Sequence, residues 1–136
     1  MILLIERNNE YKISQALPGF HLILKNSVKE THCNGRPKGG LCIAIPSHLC
    51  ENIKEIDVKN WRLQALTISF GAKSLLLVNV YFPVDDRSGH LNEETDETIA
   101  ALEEIIAANI VDDVMICGDF NTDFSRRSRQ VMRIQE

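Results

Sequence analysis

Apolar residues along this chain come mostly in runs of four to seven, separated by polar stretches that carry glycine, proline or asparagine. Runs of that length bounded by turn formers predict strands, not a helical bundle. Met1 to Ile5 is the first run, Phe20 to Leu24 the second and Leu41 to Ile45 the third, the last closed by Pro46. Glu51 to Val58 alternates imperfectly through Ile53, Ile56 and Val58, and Arg62 to Phe70 alternates better. Gly71-Ala72-Lys73-Ser74 then turns the chain into Leu75 to Tyr81, which predicts a hairpin. Two segments carry helical spacing instead. Asn8 to Leu17 predicts a short helix stopped by Pro18-Gly19, and Glu93 to Asn109 a long one with Ile99, Leu102, Ile105 and Ile106 on one face. Acidic residues fill the first turn of the long helix, where its dipole favours them. Asn26 to Lys38 and Pro83 to Asn92 are loops, and Val114 to Cys117, bounded by Gly118, predicts a fully buried strand.

This order, mostly strands with one long helix delivering the chain into the Val114 strand, predicts an α/β sandwich whose sheets carry helices on their outer faces. At 136 residues the chain is expected to form a single domain, residues 1–136. A net charge of −4 supplies no overall attraction to nucleic acid. The tail is the exception: Arg126, Arg127, Arg129 and Arg133 form either a phosphate-binding patch or a solvated helix face. Cys33, Cys42, Cys50 and Cys117 match neither a zinc site nor a disulfide framework, so the expectation is an intracellular, reduced protein, nuclear or cytoplasmic. Cys42 and Cys117 lie in apolar runs and are expected to pack as small hydrophobes. No run is long enough to span a membrane.

The chemistry concentrates after the last strand, in Gly118-Asp119-Phe120-Asn121. In extended chain Asp119 and Asn121 share a face while Phe120 packs the other way. A carboxylate buried at a strand end needs a charged or hydrogen-bonding partner, which points to a metal-assisted or water-activating site. A polar turn after a strand is the other reading.

Three motifs occur in a telling order: Arg36-Pro37-Lys38-Gly39-Gly40 before one strand, Asn79-Val80-Tyr81-Phe82-Pro83 closing another, and then Gly118-Asp119-Phe120-Asn121. Together they resemble the endonuclease/exonuclease/phosphatase superfamily, and most of all the apurinic-like endonuclease domain of non-LTR retrotransposons. The resemblance runs from about Leu3 to Arg133. It implies a DNase I-like, four-layered α/β sandwich of mixed, mostly antiparallel sheets, present in part, and magnesium-dependent phosphodiester cleavage with DNA as partner. By the same resemblance Asp119 orients and deprotonates the attacking water, Asn121 holds that geometry, and Tyr81 contacts the phosphate near the transition state. Glu6, after the first apolar run, would be the Mg2+ ligand; beside Arg7 it could equally form a surface ion pair. Tyr81 could also be a half-buried aromatic and no more. Asn79 either shares the Tyr81 face or forms a turn. His21, His32, His48 and His90 match no motif.

The family pattern opens with an Asn-bearing strand and closes with a Ser-Asp-His segment, and neither occurs here. The chain would then hold the central half to two-thirds of such a domain, be weakly active or inactive, and expose sheet edges through which it could self-associate. Two alternatives stay open: a phosphoesterase of the same superfamily acting on a lipid or small phosphate ester, and a non-catalytic binding remnant.

Overall fold

The computed structural model describes residues 2–4 (backbone only), 17–25, 40–84, 92–125 and 129–135. Seven strands and two α-helices lie within them: β1 Ile2–Leu4, β2 Phe20–Lys25, β3 Leu41–Pro46, β4 Ile53–Ile56, β5 Leu63–Phe70, β6 Lys73–Tyr81, α1 Glu93–Ala108, β7 Asp113–Asp119 and α2 Arg129–Gln135. A 3-10 helix, Ser47–Asn52, links β3 to β4. It occupies the start of the stretch expected to be strand from Glu51, and pairing begins only at Ile53. The helix expected over Asn8 to Leu17 and the loop over Asn26 to Lys38 lie outside the described residues, save Leu17.

The strands form two sheets, ordered β1-β3-β2 and β4-β5-β6-β7. Every pairing is antiparallel except β6 with β7, which run parallel and are joined through α1. That is the connection a parallel pair requires, since a tight turn cannot bring the chain back to the same end of the sheet. The β5–β6 hairpin forms as expected, with Leu63 opposite Val80 and Phe70 opposite Lys73.

Period-two alternation assigns the two faces of the second sheet. Leu66 and Ile68 on β5 meet Ile23, Ile43 and Ile45 of the first sheet, with Leu75 and Leu77 beside them. On the other face Leu63, Ala65, Leu76, Val78 and Val80 pack with Phe82 under Ile99 and Ile105 of α1. Each fully buried aliphatic or aromatic side chain here stabilises by roughly 1.5–3 kcal/mol, so both clusters are needed. α1 starts where Asn92 accepts a hydrogen bond from the Glu94 amide at 2.9 Å, a side-chain N-cap.

β7 departs from its expected burial. Val114, Met115 and Ile116 are 44%, 52% and 37% exposed, because β7 is the last strand in the order of its sheet, with a hydrogen-bonded neighbour on one side alone among the described strands. Apolarity alone does not distinguish a central strand from an edge one. Cys42 is buried as expected, while Cys117, on that edge strand, is half-buried.

Candidate active site

Two parallel neighbours end their strands at the same edge of the sheet. β6 and β7 therefore deliver Tyr81 and Asp119 as register partners, side by side. The strand exits are then tied together. Phe82 N donates to Asp119 O at 2.9 Å, and Asn121 Nδ2 donates to Phe82 O at 2.8 Å. Gln130 of α2, buried, donates to Pro83 O at 3.1 Å and to Phe120 O at 3.3 Å. The Phe82 and Phe120 rings stack at 5.6 Å and 18° beneath these contacts. Fixed strand exits with several independent ties make a pre-organised edge.

Asp119 and Asn121 do come together, though not by the pleat. β7 ends at Asp119, and Asn121 sits at φ 48, in the left-handed region that asparagine tolerates better than most residues. Asn121 N donates to Asp119 Oδ1 at 3.0 Å, which closes an Asx turn. The turn and the site are thus one structure. Asp119 is exposed, so its chemistry does not rest on the cost of burial expected from the sequence. Asp123 continues the turn, accepting from Ser125 N at 3.0 Å and Ser125 Oγ at 2.6 Å.

Gly118 explains why the motif begins with glycine. A Cβ there would lie 2.0 Å from Val80 O, with φ at +139. The β7 backbone presses on β6 just before the site, and only glycine fits.

Asn79 is neither a turn former nor part of the exposed edge. It is fully buried within β6, its Nδ2 reaching Cys42 O at 3.4 Å across the sheets and its Oδ1 without a hydrogen-bond partner among the described residues. Among the tail arginines, Arg133 pairs with Glu103 at 3.2 Å and Asp96 at 3.6 Å on α1, which favours the solvated-helix reading. Arg126 and Arg127 lie outside the described residues, as does Glu6. β1, ending two residues before Glu6, packs against β7.

Two residues that no sequence motif marked, Trp61 and Arg62, stand beside Tyr81. Arg62, 7% exposed, pairs with Glu94 in the first turn of α1 and donates from Nη1 to Tyr81 O at 3.4 Å. Its guanidinium carbon lies 4.1 Å from the Trp61 ring centroid and 5.5 Å from that of Tyr81. The two rings are 6.3 Å apart. The available signal was a Trp-Arg pair at a strand entry, whose meaning depends on a hairpin partner 19 residues away.

Among the described residues no group of three or more His, Cys, Asp or Glu side chains is placed to hold a metal ion. Asp119 is nonetheless a suitable oxygen donor for a hard cation. Its Oδ1 is used by the turn, and no described residue engages its other oxygen. Mg2+ keeps several waters and needs only one or two protein carboxylates. Also among the described residues, no helix is long and apolar enough to cross a membrane.

No protein-family model matches the sequence, and neither does any curated protein. Solved structures do match in shape. Truncated Caenorhabditis elegans TDP2 aligns at TM-score 0.59 and 20% identity, over 94% of this chain and 51% of that one. D. rerio TDP2 complexed with a single-strand DNA product aligns at 0.58 and 12%, over 98% and 50%. ANGEL2, described as a 2',3'-cyclic phosphatase in complex with adenosine-2',3'-vanadate, aligns at 0.55 and 16%, over 89% and 39%. At these identities the likeness establishes the fold, a DNase I-like α/β sandwich, and this chain spans about half or less of each matched chain.

Proposed function

We propose that the edge formed by Tyr81, Asp119 and Asn121 is the phosphodiester site of a magnesium-dependent endonuclease of the non-LTR retrotransposon type, with DNA as substrate. The observation that carries the reading is the parallel register of Tyr81 with Asp119, latched by the Asn121–Phe82 hydrogen bond. It puts a phenol and an exposed carboxylate at one strand edge, with a carboxamide holding the carboxylate's turn. The DNA product bound by the zebrafish neighbour and the cyclic phosphate substrate named for ANGEL2 are consistent with phosphate chemistry on this fold.

In this reading Asp119 orients the attacking water and takes its proton, which its exposure and its oxygen free of described partners allow. Asn121 keeps that carboxylate in place through the turn. Tyr81 donates from its hydroxyl to a phosphoryl oxygen as charge builds there. Glu6, with Asp119 at the β7 exit, would hold Mg2+, which when bound neutralises charge on the phosphate. Groups that act as a unit fail together, so these four by themselves are expected to support only weak cleavage. The apolar β7 edge is also where self-association would occur.

Binding is therefore the more decisive readout. Anisotropy of a labelled oligonucleotide is expected to show affinity strengthened by Mg2+ and weakened by Asp119→Ala, with cleavage slow or undetectable. Binding indifferent to both Mg2+ and Asp119→Ala would overturn the assignment. Metal-dependent hydrolysis of a phosphoinositide or sphingolipid, with an abasic duplex left intact, would move the lipid phosphoesterase ahead.

A further inference from the structure

Resting on the phosphodiester-site reading, we propose that Trp61 is a stacking platform for an unpaired nucleobase next to the scissile phosphate. Trp61 is the only tryptophan of the chain, and it is half-buried in the turn that enters β5. Its ring lies 6.3 Å from that of Tyr81, which is in turn the register partner of Asp119. A half-buried aromatic one ring away from a polar strand edge is placed to offer apolar surface to a substrate lying on that edge.

Its backing is fixed. The Arg62 guanidinium lies 4.1 Å from the indole centroid and is itself held by Glu94 and by the carbonyl of Tyr81. One face of the indole is thereby backed by a cation with two further anchors, which leaves the opposite face as the one a ligand would stack on. Immobilising the ring in advance lowers the ordering cost of stacking. Arg62 is buried and already paired, so it supports the indole without serving as a phosphate hook.

Stacking also selects among ligands. Every nucleobase presents a π-face, which an inositol phosphate or inorganic phosphate lacks. The Trp61 surface therefore favours a nucleic acid with an exposed base over a headgroup ester, and a single-stranded or unpaired substrate over a continuous duplex.

Because Trp61 is the sole indole, its emission reports on this contact directly. The full chain with Mg2+ is titrated with short oligo-dT, inositol phosphate and inorganic phosphate, and oligonucleotide binding is followed separately by anisotropy. Saturable quenching by oligo-dT alone is expected. Trp61→Ala should weaken oligo-dT binding roughly tenfold, and Trp61→Phe, which keeps an aromatic face over Arg62, should retain part of it. Oligo-dT that binds without changing the emission, and equally well to both variants, overturns the stacking role while leaving the phosphodiester site standing. Absence of any oligonucleotide binding overturns both. Quenching by inositol phosphate but not by oligo-dT overturns the nucleobase assignment and supports a headgroup substrate.

Discussion

Replacing Gly118 by alanine tests whether the close contact of β6 and β7 holds the site edge together. The added Cβ would meet Val80 O at 2.0 Å, Val80 N at 2.7 Å and Val80 C at 2.9 Å. A carbon–oxygen contact normally closes no nearer than about 3.3 Å, so the strands must separate locally by roughly 1.3 Å. That is enough to stretch Phe82 N to Asp119 O beyond hydrogen-bond range from its present 2.9 Å. The ladder around Val80–Gly118 would weaken with it. Two lost hydrogen bonds at about 1 kcal/mol each, with backbone strain of about 1–3 kcal/mol at φ +139, give about 3–5 kcal/mol. For a domain of this size that lowers Tm by about 10–20 °C, measured by circular dichroism with urea unfolding as a check. Gly71→Ala is the control: its φ is +63, but nothing lies within 4 Å of the added Cβ, so it costs only about 1 kcal/mol of strain. If Gly118→Ala unfolds within about 3 °C of the control, β7 slides outward freely, and the argument that the contact holds the edge is wrong.

Other expectations follow from single contacts. Asn121→Gly keeps the left-handed turn but loses the bond to Phe82 O, and should cost about 1 kcal/mol; Asn121→Ala adds backbone strain and should cost about 2 kcal/mol in urea unfolding. Glu94→Gln removes the charge that pairs the buried Arg62, and with Glu94 itself half exposed the loss should be about 1–2 kcal/mol. Hydrogen bonds from the backbone and hydroxyl of Ser74 hold the Asp112 carboxyl below its usual value of 3.8. Its contribution is thus fully present above that value and lost as pH falls through the lowered folded-state value, so Asp112→Asn should flatten the acid limb of the urea midpoint against pH. Sedimentation should show concentration-dependent association that Ile116→Lys on the exposed β7 edge reduces.

The sequence made the elements legible wherever periodicity was strong. Leu63 to Tyr81 resolved as a hairpin because alternation and a glycine turn agree, and α1 followed from Ile99 and Ile105 with acidic residues at its start. Strand order was not legible. Val114 to Ile116 are as apolar as Leu41 to Ile45, yet one strand is central and the other an edge, and that depends on neighbours distant in the chain. At the site, the residue types in Gly-Asp-Phe-Asn were visible, while their geometry was not: φ 48 at Asn121 turns the chain where alternation assumed it stayed extended. Asn79 was opaque for a similar reason, since its bond to Cys42 O crosses between sheets. Arg62 and Trp61 carried no motif, and their importance comes from packing against Tyr81 and α1.

The most direct test of the central claim is to locate a bound metal by paramagnetic broadening. Mn2+ in place of Mg2+ is titrated into the isotopically labelled chain, and backbone amide signals are followed by NMR. The account predicts selective broadening at Tyr81, Phe82 and Asp119 to Asn121, lost in Asp119→Ala. Broadening centred instead on the acidic first turn of α1, at Glu93, Glu94 and Asp96, with the β6 and β7 exits untouched, would contradict it.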